Sequence, residues 1–116
     1  MEAVKRPVNK HPAYHAHVYF DEVTLAFARQ LCHQAGDTFP VSIGRIHEKR
    51  VGPHTMWSCQ IAFSSEVFDA IIPWLEVHRA GLTVFVHGLT GNALADHTIH
   101  AYWLGDPVAL DLSKLA

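Results

Sequence analysis

The sequence predicts an α+β fold, an antiparallel sheet with two helices packed on one of its faces, and three observations carry that prediction. Four short segments alternate apolar and polar residues with a period of two. Two others repeat apolar residues at helical spacing. The two kinds follow one another as β-α-β-β-α-β, an order that supplies one sheet and two covering helices. At 116 residues, 49% apolar and 17% charged, the chain has the size and interior of one domain.

Residues 1–13 read as a short polar arm ending at His11-Pro12, and 14–116 as a single domain. In Tyr14–Phe20, Ala16, Val18 and Phe20 fall on one side and His15, His17 and Tyr19 on the other, the pattern of a strand with one buried face. Asp21 is placed to cap the helix that follows, with Glu22 in its first turn. Val23, Phe27 and Leu31 give that helix its apolar stripe and Gly36 closes it. Pro40 opens a second strand, Val41–His47, and Val51-Gly52-Pro53 turns the chain into a third, Met56–Phe63. There Trp57, Cys59, Ile61 and Phe63 alternate with Ser58, Gln60 and Ala62, so these two strands form a hairpin. Ser64 and Ser65 cap a second helix carrying Phe68, Ile71, Ile72 and Leu75. Pro73 must kink or restart it, and Gly81 ends it. Leu82–His87 is a fourth strand, with Leu82, Val84 and Val86 opposite Thr83, Phe85 and His87. In the tail, Ala101–Leu104 and Val108–Leu112 are expected as further extended pieces.

This order is the ferredoxin-like βαββαβ arrangement, with strands in the spatial order 4-1-3-2 and one sheet face left open. Strand one is then central and antiparallel to strand four, so the start of one lies beside the end of the other. Val18, Phe20, Val84 and Val86 must face the helices. His15, His17 and His87 therefore meet on the open face, although some 70 positions separate them in the chain.

Composition narrows the chemistry. A formal charge of −2 and the lack of a Lys/Arg stripe argue against nucleic acid as a partner. Cys32 and Cys59 show no metal spacing and read as buried free thiols. With no signal peptide and no membrane-spanning apolar run in view, a cytoplasmic protein is expected. The anomaly is histidine, with ten dispersed copies. A strand His-x-His sets two rings roughly 6.5–7 Å apart at their backbones, near enough to share an ion. Alone that pair is weak, and His87 strengthens it. Two histidines and a carboxylate form the arrangement of non-haem Fe(II) oxygenases, and Asp96 is the nearest carboxylate in sequence. Tyr19, on the same face, is a candidate substrate contact. His54, in the hairpin connection, and His97, after the Gly88–Gly91 turn, are candidates for acid/base chemistry or substrate binding. His11, His33, His47, His78 and His100 read as exposed or structural.

His15-Ala-His-Val-Tyr-Phe20, Gly52-Pro-His-Thr-Met-Trp57, Pro73-Trp-Leu75, Gly81–Gly91, Asp96-His-Thr98, Trp103-Leu-Gly and Leu110-Asp-Leu-Ser113 together resemble the small DOPA 4,5-dioxygenases of fungi and bacteria. The resemblance runs from Tyr14 to Ser113 and implies histidines with a function at positions 17, 54, 87 and 97. Thr55 and Gly88 stand where proline would be expected after two of them. The resemblance implies a ferredoxin-like fold and extradiol cleavage of a catechol such as L-DOPA with Fe(II) and O2. The resemblance favours those four histidines over His15; with the strand geometry it makes His17 and His87 the expected metal ligands, with His15 as the third on strand alternation alone, and His54 and His97 the catalytic residues. A zinc or other divalent-metal site of different function, or a non-catalytic ferredoxin-like dimer binding a ligand or partner, are the alternatives. Tyr19 and Phe85 on an uncovered face lead one to expect a homodimer packed face to face.

Overall fold

Strand β1 (Ala13–Phe20) occupies the middle of the sheet, because it alternates on both sides with apolar neighbours. The computed structural model describes residues 5–115; residues 1–4 of the expected arm, and Ala116, lie outside the described residues. After β1 come α1 (Leu25–Thr38), β2 (Ser42–His47), β3 (Trp57–Ser64), α2 (Ser65–His78), β4 (Val84–Gly88), the one-turn helix α3 (Ala93–Asp96), β5 (Ala101–Leu104) and a closing 3₁₀ turn (Leu112–Leu115). The sheet order is β2-β3-β1-β4-β5, antiparallel throughout. It is the expected 4-1-3-2 order with β5, the first of the two tail segments, added outside β4. The main core joins Tyr14, Ala16, Val18 and Phe20 of β1 to Ala28, Leu31, Cys32 and Ala35 of α1 and to Val67, Phe68, Ile71 and Leu75 of α2. Both long helices therefore cover one face. No helix among the described residues is long and apolar enough to cross a membrane.

Four local expectations are corrected. Asp21 does not cap α1. It closes the preceding turn with Thr24, accepting from the Thr24 amide at 2.9 Å while the Asp21 amide donates to the Thr24 hydroxyl at 3.0 Å. The buried stripe of α1 is built on Ala28 and Ala35, which let the helix lie close to the sheet, whereas Val23 is 91% exposed and Phe27 also faces out. Gly36 does not end the helix but lies inside it, where a Cβ would stand 3.0 Å from Ile43 of β2. The helix stops at Thr38, ahead of Pro40, with Phe39 already extended. Pro73 neither breaks nor restarts α2. It sits on the exposed side of a helix that runs through from Ser65 to His78, with Asp69, one turn earlier, exposed as well.

The face away from the helices is not bare. Val108 and Leu110, with Met56 and Trp103, pack on a second apolar cluster of Tyr19, Phe85 and Ala101. The second tail segment is thus an irregular strap rather than a strand. The Thr55 hydroxyl donates to the Ala109 carbonyl at 2.6 Å, and the Asp111 amide to the Pro53 carbonyl at 2.8 Å. Tyr19 and Phe85 are 1% and 0% exposed. The patch that favoured face-to-face dimerisation is covered by the chain itself.

Candidate metal centre

Pairing in the sheet sets the site. Across β1 and β4, His15 is opposite His87 and His17 opposite Phe85; across β1 and β3, His17 is opposite Gln60. The His17 and His87 rings lie nearly parallel, with their Nε2 atoms 3.1 Å apart. His17 is 6% and His87 2% exposed. The His15 ring stands edge-on to both, with centroids 5.9 Å from His17 and 5.3 Å from His87.

Two loops complete the group. The β2–β3 connection turns at Gly52, whose φ of +56° suits glycine, and the His54 amide donates to the Val51 carbonyl at 3.1 Å. This folds the connection back over β1, setting the His54 ring 4.1 Å from that of His17. Beyond β4, Gly91 with φ +91° and the Asn92 side chain, which accepts from the Ala95 amide at 3.0 Å, start α3. His97 follows α3, its ring 4.2 Å from that of His87 and 6.0 Å from that of His54. All five histidines line one cavity of about 520 Å³, with Gln60, Leu89 and Asp96 among its other walls.

Burial and mutual repulsion disfavour the charged form of His15, His17, His54 and His87. Burial, then the neighbouring imidazoles, holds His54 down at about 4, and burial holds His87 at about 4. For the same reasons His17 lies well below the ordinary imidazole value of 6.5, and His15 below it. A neutral imidazole keeps a lone pair for a metal.

The donor set fits an ion. Nitrogens about 2.1 Å from one metal and at nearly a right angle lie about as far apart as the His17 and His87 Nε2 atoms. Two overlapping trios could converge, His15 with His17 and His87, and His17 with His54 and His97. The Nδ1–H of His87 donates to the Gly88 carbonyl at 3.0 Å, the outer support that orients a histidine ligand. Asp96 belongs to neither trio. Its carboxylate accepts from the amide and hydroxyl of Thr90, and the candidate donors among the described residues are imidazoles rather than two histidines and a carboxylate.

Tyr19 corrects another expectation. It does not line the cavity; its hydroxyl lies 2.7 Å from Nδ1 of His54, beneath the strap. His33 pairs with Asp37 on the surface, and His78 stacks on Trp74. His11 lies against Gly88 and His100, and His47 against a smaller cavity behind His17. The two positions that lack the expected proline have uses here. The Thr55 hydroxyl ties down the strap, and a Cβ on Gly88 would stand 2.5 Å from the His11 ring. Sequence reasoning gave Gln60 no role, though its alternation with Cys59 and Ile61 had already set it on the histidine face.

The sequence profile of the Dopa 4,5-dioxygenase family matches residues 14–114. The chain is 35% identical over 113 residues to an uncharacterized 21.2 kDa protein of Botryotinia fuckeliana, covering 87% of this chain and 62% of that protein. It is 31% identical over 111 residues to a DOPA 4,5-dioxygenase of Amanita muscaria, covering 88% of this chain and 49% of that one. The chain thus spans between about half and three-fifths of the length of these curated relatives. The crystal structure of a candidate dioxygenase from Nostoc punctiforme superposes with a TM-score of 0.88 at 39% identity, covering 90% of this chain and 91% of that one.

Proposed function

From the premise that the chain belongs to the Dopa 4,5-dioxygenase family, we propose that it is an extradiol-type dioxygenase opening the ring of a catechol such as L-DOPA with Fe(II) and O2. The observation that carries this proposal is the buried His17–His87 pair with its Nε2 atoms 3.1 Å apart in a cavity of about 520 Å³, a volume suited to a small aromatic ligand. His17 and His87 would hold the iron, with His15 as third ligand, and nitrogen donors suit it. Bound there, Fe(II) would supply the centre at which both catechol oxygens and O2 come together.

The chain's own residues do the rest. Leu89 and Ala93 give the ring an apolar wall, and burial of His17, His54 and His87 limits water at the reacting end. The Nδ1–H of His97 donates to the Ala93 carbonyl at 2.7 Å, so Nε2 is the nitrogen left to take a proton from a catechol hydroxyl and later return it. His54, on the other side of His17, contacts the substrate.

The test is to purify the protein without oxygen, measure bound metal, add Fe(II), and follow ring-opened yellow product from L-DOPA, caffeic acid and simple catechols after admitting air. Oxygen- and iron-dependent product is expected from at least one catechol. Full zinc occupancy with no oxygen-dependent product from any of them would overturn the proposal.

A further inference from the structure

Five imidazoles around one cavity exceed what a three-histidine ion site uses, and the partner of each ring's far nitrogen separates them. Nδ1 of His87 faces the Gly88 carbonyl and Nδ1 of His97 the Ala93 carbonyl. A carbonyl can only accept. Both rings must therefore carry their proton on Nδ1, which leaves Nε2 with a lone pair.

His54 is different. Its Nδ1 faces the Tyr19 hydroxyl at 2.7 Å, a group able to donate. Tyr19 is buried beneath Met56, Trp103, Val108 and Leu110, and among the described residues the His54 ring is the single hydrogen-bond partner of its hydroxyl. A buried O–H with one partner leaves its own proton without an acceptor unless it donates to that partner, and imidazole nitrogen is the better acceptor of the two.

We propose that Tyr19 is a positioning residue that donates to Nδ1 of His54 and holds the ring as its Nε2–H tautomer, so that His54 offers the cavity an N–H rather than a lone pair. His54 is then a hydrogen-bond donor for an ionised catechol oxygen, not a metal ligand. The trio His17, His54, His97 drops out as an ion site, leaving His15, His17 and His87. The assignment of the N–H to a catechol oxygen rests on the ring-opening proposal; the tautomer itself does not.

Nitrogen-15 spectra of the metal-free protein test this at neutral pH, with the His54→Ala spectrum identifying the ring. His54 is expected to show a protonated Nε2 and bare Nδ1, the reverse of His87 and His97. Tyr19→Phe, which keeps the ring and loses the hydroxyl, is expected to shift His54 towards the Nδ1–H form. In calorimetric titration with Zn(II), His54→Ala should leave affinity unchanged, while His87→Ala weakens it by roughly 100-fold or more, beyond what losing an outer-shell partner costs. An Nδ1–H on His54 in the native protein, or equal Zn(II) weakening by the two alanine variants, would overturn the proposal. Failure to turn over any catechol would remove the ring-opening reaction and leave these two readouts standing.

Discussion

His17 and His87 each have their Nε2 directed at the other, so removing either ring takes away half of that donor pair. His17→Ala and His87→Ala are each expected to abolish uptake of Fe(II), measured by metal analysis after anaerobic loading and desalting, while His33→Ala, on the far surface beside Asp37, leaves it unchanged. Equal metal content in all three variants would sink the ligand assignment. Strand alternation made this pair legible, because a period of two leaves only two faces and the apolar partners Val18 and Val86 claim one of them. The same logic misjudged Tyr19. It gave the correct face, but a face does not reveal that a distant strap covers one end of it and turns a potential substrate contact into a buried hydrogen-bond partner of His54.

At the scale of elements, regular structure was easier to foresee than the connections, which carry the chemistry. The order of strands and helices followed from periodicity. The stripe of α1 did not, because large side chains at helical spacing drew attention to Val23 and Phe27, while the sheet selected the small Ala28 and Ala35 for close approach. His54 and His97 come from loops, and their convergence depends on Gly52, on Gly91 and on side-chain bonds within the turns. Asp96 is central to one of them: its buried carboxylate gathers the amide and hydroxyl of Thr90 and so closes the loop that presents His97. Asp96→Ala should cost roughly 1–3 kcal/mol in urea unfolding, because it leaves those donors without a partner. It should also lower turnover of a catechol while metal content stays whole. Loss of the metal in this variant would instead make Asp96, or the loop it closes, part of the ion site.

For the molecule as a whole, gathering buried and half-buried imidazoles around one cavity makes stability depend on pH in a window that the histidines own. In the unfolded chain each takes a proton near 6.5, whereas His54 and His87 in the native fold resist it until about 4, because burial disfavours the cation. Between those limits the unfolded state binds more protons than the native one, so stability is fully present above pH 6.5 and declines as pH falls towards 4. The gap is worth on the order of 3 kcal/mol for either histidine alone, and His17 and His15 pull in the same direction. Asp21 and Asp111 do not blur the window. Hydrogen bonds from Thr24 and Ser113 hold their carboxyls below the ordinary 3.8, so whatever they contribute disappears only at lower pH still. Metal-free protein should therefore lose thermal stability steeply across this interval, and His87→Gln should flatten the decline. A bound divalent ion should add stability at neutral pH and lose that effect on acidification, as protons compete for the same lone pairs. Calorimetric melting of the metal-free and Zn(II)-loaded protein across the interval measures both effects. A flat profile for the metal-free form would mean that the imidazoles take up protons in the native state as readily as in the unfolded chain, and so are hydrated there rather than buried.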